Sequence, residues 1–379
     1  MYIGHLDTGL NPQHPALRSK VARLIAIGPD GIALPNWPAQ PFASHGTHTA
    51  GIICGDPAQG VPGVAPDAQL CVVAISTRGK SLLQLLAGMD ALLAFDIRIA
   101  CMAIGVRKQT PVFAPFLQAF RQKGILPILP IGNSGAGTGH SPGCYPGALA
   151  VGAVDAQGNV AQFSGSYGQG DALKPELLAP GVDILSATPH GYTKRRSGTS
   201  MACAHIAGLA ARLLQARPEA TAAEIRQALI STAAPLSPNR QQRSRYGIVQ
   251  LEAALEAILQ PAPSLPEPAE EPLPAFLQTR YLDQRFIKKY ERAGEKQELE
   301  ALILPETGGP GKGQPPIPEG SRRLIAAAAQ KSGQPPAYTR YFQHADVAHV
   351  RAGRLFFAAL LEHPGLFACS AVDVSIFEM

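Results

Sequence analysis

Ser200 stands near the head of an apolar run, Ser197-Gly198-Thr199-Ser200-Met201-Ala202, that continues through Leu214. Small residues followed by Ile206, Leu209, Ala210, Leu213 and Leu214 predict a tight turn opening a helix with one apolar face. A serine in the first turn of a helix lies among unpaired N–H groups at the positive end of the dipole. That place suits an ordinary N-cap, and it equally suits a nucleophile whose reaction passes through an oxyanion. Asp7 ends a short apolar strand, Tyr2 to Asp7, at the turn Asp7-Thr8-Gly9. A carboxylate there is a fixed charge at the C-terminal edge of a parallel sheet. His5 falls on the same side of that strand and reads as a packed structural histidine. His45 and His48 lie three apart in Ser44-His45-Gly46-Thr47-His48-Thr49-Ala50-Gly51, the start of another helix. No third ligand cluster accompanies them, so no metal is expected.

The elements that must hold these residues alternate along the chain. Strands are expected at Gln69 to Ile75, Ile97 to Ile104, Ile125 to Ile131 and Ala148 to Val154. Helices are expected at Ser81 to Phe95 and Val112 to Lys123. Apolar strands alternating with amphipathic helices predict an α/β fold with a doubly wound, mostly parallel sheet. Beyond Ser200, Thr221 with Glu224 forms a capping box, and a last helix runs from Leu251 to Leu259. Residues 261–275 are rich in Pro and Glu and read as a linker. This divides the chain into a domain of residues 1–260 and a small α+β domain of residues 276–379. In the latter, a strand (Leu299 to Leu304), a helix (Ser321 to Lys331), a strand or hairpin (Tyr338 to Arg351), a helix (Gly353 to His363) and a strand (Leu366 to Phe377) give the β-α-β-β-α-β order of a ferredoxin-like sandwich.

Composition sets the boundaries of the reading. With 379 residues, 46% hydrophobic and 16% charged, the chain is globular and long enough for a large core plus a second unit. A net charge of +5, scattered, does not imply nucleic acid. The densest basic run, Lys194-Arg195-Arg196, reads as a solvated loop just before the serine motif. The six cysteines show no metal-type spacing and sit among small or apolar residues, which favours buried free thiols and a reducing compartment. No apolar stretch reaches spanning length, so no membrane is expected. If Met1 is the natural start, the location is cytoplasmic.

Asp7-Thr8-Gly9, His45-Gly46-Thr47-His48 and Gly198-Thr199-Ser200-Met201-Ala202, in that order, resemble the subtilisin-like serine peptidases (subtilases). Gly63-Val64-Ala65-Pro66, Gly132-Asn133-Ser134-Gly135 and Leu178 to Leu185 extend the resemblance over about residues 1–260. It implies Ser200 as nucleophile, His45 as general base and then acid, and Asp7 as the carboxylate that orients it. Asn133, with the Ser200 N–H, would form the oxyanion hole. His48 would be structural. Ala103, Ile104 and Gly105 match the strand along which an extended substrate pairs, Gly132 borders it, and His140 aligns with the floor of the pocket for the residue before the scissile bond. There a histidine would shape the pocket or favour an acidic side chain. The implied function is a serine endopeptidase for peptide or protein substrates, needing no cofactor. The alternatives are a maturation protease for one dedicated precursor peptide and a non-catalytic, peptide-binding relative.

The departures from the family pattern carry expectations of their own. Cys203-Ala204 stands where the pattern has Ser-Pro, and Cys203 reads as a buried small thiol. Ala16 and Pro57 replace oxygen donors of a family calcium site, so no calcium is expected between the Asp56–Gly60 loop and the Ala16 turn. The stretch from Tyr338 to Ile376 resembles a subtilase propeptide placed C-terminally. It is expected either to act on the active site in cis, with Ser375 to Met379 approaching it, or to dock a partner.

Overall fold

The strands of the first part of the chain are continuous apolar runs because both of their faces are covered. In the computed structural model, which describes residues 1–34, 44–75, 81–260, 281–294, 297–305, 319–364, 366–372 and 377–378, β1 (Tyr2–Asp7), β2 (Val21–Ile27) and β3 (Ala33–Leu34) precede helix α1 (Ser44–Cys54). β4 (Gln69–Ile75), α2 (Ser81–Leu93), β5 (Ile99–Met102), β6 (Ile104–Gly105), α3 (Ala114–Gln122), β7 (Leu126–Pro130), β8 (Leu149–Val154) and β9 (Leu177–Pro180) follow. Then come the hairpin β10 (Ile184–Ala187) and β11 (Thr193–Arg196), helices α4 (Thr199–Ala216) and α5 (Ala222–Ser231), β12 (Gly247–Ile248) and α6 (Leu251–Leu259).

These form a nine-stranded sheet in the order β12-β9-β8-β7-β5-β1-β4-β2-β3, parallel throughout except for β2 against β3. Alternate side chains of one strand feed opposite cores. Leu70 and Val72 of β4 pack with Ile53 of α1 and Met201 and Ile206 of α4. Cys71 and Val73 join Leu86 of α2 and Leu117 of α3 on the other side. From β1 the chain passes out to β2 and β3, comes back to β4 between β2 and β1, and then crosses to β5 on the opposite side of β1. The winding therefore reverses between β1 and β5, and a crevice opens there at the carboxyl ends of the strands.

Residues 281–372 build a second sheet from β13 (Tyr281–Leu282), β14 (Leu299–Pro305), β15 (Tyr338–Tyr341), β16 (Ala348–Ala352) and β17 (Leu366–Ser370), in the order β13-β17-β14-β16-β15. With α8 (Glu319–Ser332) and α9 (Arg354–Glu362), the last four strands have the ferredoxin-like order; α7 (Gln284–Arg292) and β13 are additions. One face of this sheet packs on its own helices through Ala301, Ile303, Leu324 and Phe357. Leu302, Leu304 and Phe342 instead share a core with α2 and α3, and the Phe342 ring meets that of Phe116 edge-on at 5.4 Å. At the rim, Lys108 pairs with the buried Asp283 at 2.6 Å, and Asp90 accepts from the His344 backbone and ring.

The structure corrects the expected elements in several places. The strand expected over Ile97 to Ile104 breaks at Ala103, separating β5 from β6. Lys194-Arg195-Arg196 is not a loop but lies in β11, paired antiparallel with β10. The expected strand Leu366 to Phe377 ends at Ser370, because the Asp283 carboxylate takes the Ala371 N–H and draws the chain off the ladder. Phe377–Glu378 forms a separate strand, β18, paired with β6. The Pro/Glu-rich stretch 261–275, residues 306–318 of the Gly/Pro-rich loop, 373–376 and Met379 lie outside the described residues.

Candidate active site

Gly46 determines how close α1 comes to β1. A Cβ there would stand 2.0 Å from the Gly9 carbonyl oxygen and 3.2 Å from the Asp7 Cβ, so only glycine allows the helix to reach the strand end. His45, its neighbour, is thereby set against Asp7, with Nδ1 2.7 Å from Oδ1. An ionised carboxylate only accepts, so Nδ1 carries the hydrogen in this bond. Asp7 is fully buried, and its other contacts compensate for the lost water. Thr8 N–H donates to Oδ1 at 2.6 Å and the Thr49 hydroxyl to Oδ2 at 2.9 Å. His5 Nε2 lies 2.9 Å from the Thr49 Oγ1 and 3.7 Å from Asp7 Oδ2. Burial works to raise the Asp7 pKa, but the His45 charge and hydrogen bond, His5 and the Thr8 N–H together hold it below the usual carboxylate range. His5, by contrast, is lowered by burial, and stays neutral as packed support.

Ser200 enters the crevice from the first turn of α4, fully buried, and its hydroxyl donates to the Ala103 carbonyl at 2.6 Å. Asn133 lies in the loop after β7. Its Oδ1 accepts from the Thr199 N–H and the Thr199 hydroxyl, both at 2.9 Å. A backbone N–H requires the amide oxygen, so the orientation is settled and the Nδ2 donors are left for another acceptor. Thr199 Oγ1 also accepts from the Gly132 N–H at 3.3 Å. Gly132 has φ +111°, and a Cβ there would meet the His140 ring at 2.4 Å.

His140 is buried, with Nε2 2.8 Å from the Ser134 hydroxyl. Burial, with Arg107 adding to it, lowers its pKa to about 4. It is neutral at neutral pH, so it shapes this wall and gives no charge to attract an acidic side chain. Ala103, Ile104 and Gly105 lie together at the crevice edge, and the edge is taken: β18 pairs with it antiparallel, Phe377 opposite Gly105 and Glu378 opposite Ile104. The direction from Phe377 to Glu378 leads toward Ala103 and hence toward Ser200.

His48 sits in the structural place expected of it, with Nε2 3.0 Å from the carbonyls of both Ile184 and Lys194, pinning the β10–β11 hairpin to α1. Cys203 is fully buried against Cys101 at 3.8 Å and the Ile128 carbonyl at 3.4 Å, and burial raises its thiol pKa well above the ordinary value. Asp56 spends its carboxylate on the Ala58 N–H of its own turn. Among the described residues no cluster of three His, Cys, Asp or Glu stands close enough to hold a metal. Thr49 and Thr199, each holding a member of the site in place, carry no motif signal that marks them for a role. Their only local signals are positions four after His45 and one before Ser200.

The subtilase family model matches residues 1–249 of this chain. The chain belongs to the subtilase family. It is 30% identical over 282 residues to the subtilisin-like protease PopC of Myxococcus xanthus, covering 65% of this chain and 58% of PopC. The chain thus spans less than two thirds of that relative. With subtilisin Savinase of Lederbergia lenta it shares 33% identity over 255 residues, 66% of this chain and 89% of Savinase. The solved structure of the prenylagaramide maturation protease PagA superposes on this subtilase with a TM-score of 0.58 at 28% identity, covering 69% of this chain and 94% of PagA.

Proposed function

We propose that this subtilase is a serine endopeptidase with Ser200 as nucleophile, His45 as base and Asp7 as orienting carboxylate. The observation that carries the reading is the buried Asp7–His45 pair at 2.7 Å, His45 lying on the helix α1 that packs against α4, whose first turn holds Ser200. For reaction the Ser200 hydroxyl turns from the Ala103 carbonyl toward His45 Nε2. The imidazole takes the proton as Oγ attacks the scissile carbonyl. Asp7 retains the Nδ1–H bond and stabilises the imidazolium. Asn133 Nδ2 and the Ser200 N–H receive the oxyanion, a donor pair in which one loss costs about 2.7–4 kcal/mol. The imidazolium then protonates the leaving amine, and water, deprotonated by His45, releases the acyl group from Ser200. Ile104 and Gly105 offer main-chain groups to the acyl side of an extended substrate.

A fluorophosphonate probe should label the protein at Ser200 and fail on Ser200→Ala. Absence of labelling in the wild type, with retained peptide binding, would establish a non-catalytic relative instead.

Two finer readings rest on separate observations. The pairing of β18 with β6 supports a C-terminal unit that acts in cis, its strand occupying the acyl side of the cleft. The similarity to PagA supports a maturation protease for a dedicated precursor peptide. Mass spectrometry of products from a peptide library separates a narrow maturation enzyme from a broad endopeptidase.

A further inference from the structure

The basic run before the nucleophile has no part in the reaction above. In β11 successive side chains point to opposite faces of the hairpin. Arg195 faces one way and is engaged by Asp183, with Nη1 2.7 Å from the carbonyl and 3.4 Å from Oδ2. Lys194 and Arg196 face the other way. There, with Ser44, Thr188, Pro189, His190 and Tyr192, they line a cleft of about 210 Å³. Arg196 Nη2 donates to the Ser44 hydroxyl, and Ser44 directly precedes His45. Arg196 Nε is buried with no hydrogen-bond partner among the described residues. Among the described residues no carboxylate lines the cleft, and residues 35–43, which lead into Ser44, contain no Asp or Glu.

The direction of β18 says which part of a substrate reaches this cleft. A chain running antiparallel along Gly105 and Ile104 arrives at Ser200 from its acyl side. Its continuation, the leaving-group side, passes His45 on the way out, where Ser44, Arg196 and Lys194 stand. Accordingly, we infer that Lys194 and Arg196 form a subsite for acidic side chains in the first two positions after the scissile bond. The inference rests on the endopeptidase reading for the identity of the cleft. Two cations with no carboxylate beside them among the described residues favour an anionic partner and reject a cationic one.

The test uses peptides identical on the acyl side, with Glu-Glu, Gln-Gln or Lys-Lys after the scissile bond. Their binding to full-length Ser200→Ala, followed by fluorescence polarisation, needs no chemistry. Hydrolysis by the wild type reports on catalysis separately. The Glu-Glu peptide should bind at least tenfold more tightly than Lys-Lys, with Gln-Gln between. Lys194→Glu should bring that ratio to one or below, and Lys194→Gln, which removes the charge but keeps a polar side chain, should lower it partway. Equal affinities, no binding of any peptide, or a ratio unmoved by both variants would overturn the subsite. Failure of the catalytic reading would appear differently, as charge-dependent binding without fluorophosphonate labelling or hydrolysis in the wild type.

Discussion

Burial works against the charge on Asp7, and His45, His5 and the Thr8 N–H outweigh it, while the Thr49 hydroxyl donates to Oδ2. Replacing Thr49 by Val preserves shape but leaves Oδ2 without its hydroxyl and His5 without its acceptor. The cost of an unmet buried hydrogen bond is about 1–3 kcal/mol, so kcat should fall roughly tenfold or more with KM little changed, as steady-state kinetics would read. Asn133→Ala should lower kcat by about 10²–10³. Two of the histidines whose pKa burial lowers contribute to the acid limit. His48 is lowered to about 4 by burial, with Arg196 and His45 adding to it, and His140 to about 4 likewise. Each takes a proton more readily unfolded, near 6.5, than folded. The stability each contributes is therefore complete above 6.5 and lost as the pH falls toward 4, on the order of 3 kcal/mol per residue. Melting temperature should drop across that window, and His48→Gln, whose amide donates without titrating, should flatten the drop. At this scale Asp7, His45, Ser200 and Asn133 were legible because their motifs are dense and ordered along the chain. Thr49 and Thr199 were not, since only the approach of α1 to β1 and of β7 to α4 gives a threonine its task.

The helix that carries His45 depends on a residue without a side chain. Gly46→Ala would place a methyl 2.0 Å from the Gly9 backbone oxygen, which no rotamer can relieve. Either α1 or the Asp7 turn must move. We expect loss of more than about 2 kcal/mol of stability and of nearly all activity, measured by thermal melts and by kcat/KM on the same preparation. Thr221, whose capping box with Glu224 is complete, gives a milder case. Thr221→Ala should cost about 1 kcal/mol and leave kcat unchanged. The parallel strands and the capped helices were readable because continuous apolar runs and the 3.6-residue stripe are strong signals. The hairpin β10–β11 was not, as its polar Thr193-Lys194-Arg195-Arg196 has no apolar alternation. Helix α7 escaped notice for a related reason: Phe286 is its one buried side chain.

The two sheets share a core. Leu302, Leu304 and Phe342 close over α2 and α3, so their removal would expose Phe116 and its neighbours to water. A variant lacking residues 261–379 should therefore be poorly soluble, whereas deletion of residues 373–379 alone should leave the melting temperature within a few degrees. If β18 blocks the acyl side of the cleft, that shorter deletion should raise the initial rate of peptide hydrolysis at least tenfold. Equal rates would dismiss the cis reading. The ferredoxin-like order of the C-terminal strands could be read from hydrophobic patterning, but its docking could not. Nothing in the period of a strand says which of its faces meets a neighbouring sheet and which meets a helix from another layer.

The antiparallel register of Phe377 with Gly105 has a consequence for measurement. If β18 competes with substrate for that edge, it does so as a tethered strand, at a local concentration set by the chain and on the order of millimolar for a short connection. Diluting the enzyme does not lower it. On that reading, activity assays at micromolar peptide would report mainly how often the strand lifts, and the apparent KM would reflect that opening more than the affinity of the cleft. A substrate that also gripped the basic cleft beyond Ser200 would hold a second point of attachment, and so would displace the strand more readily than one that filled the acyl side alone.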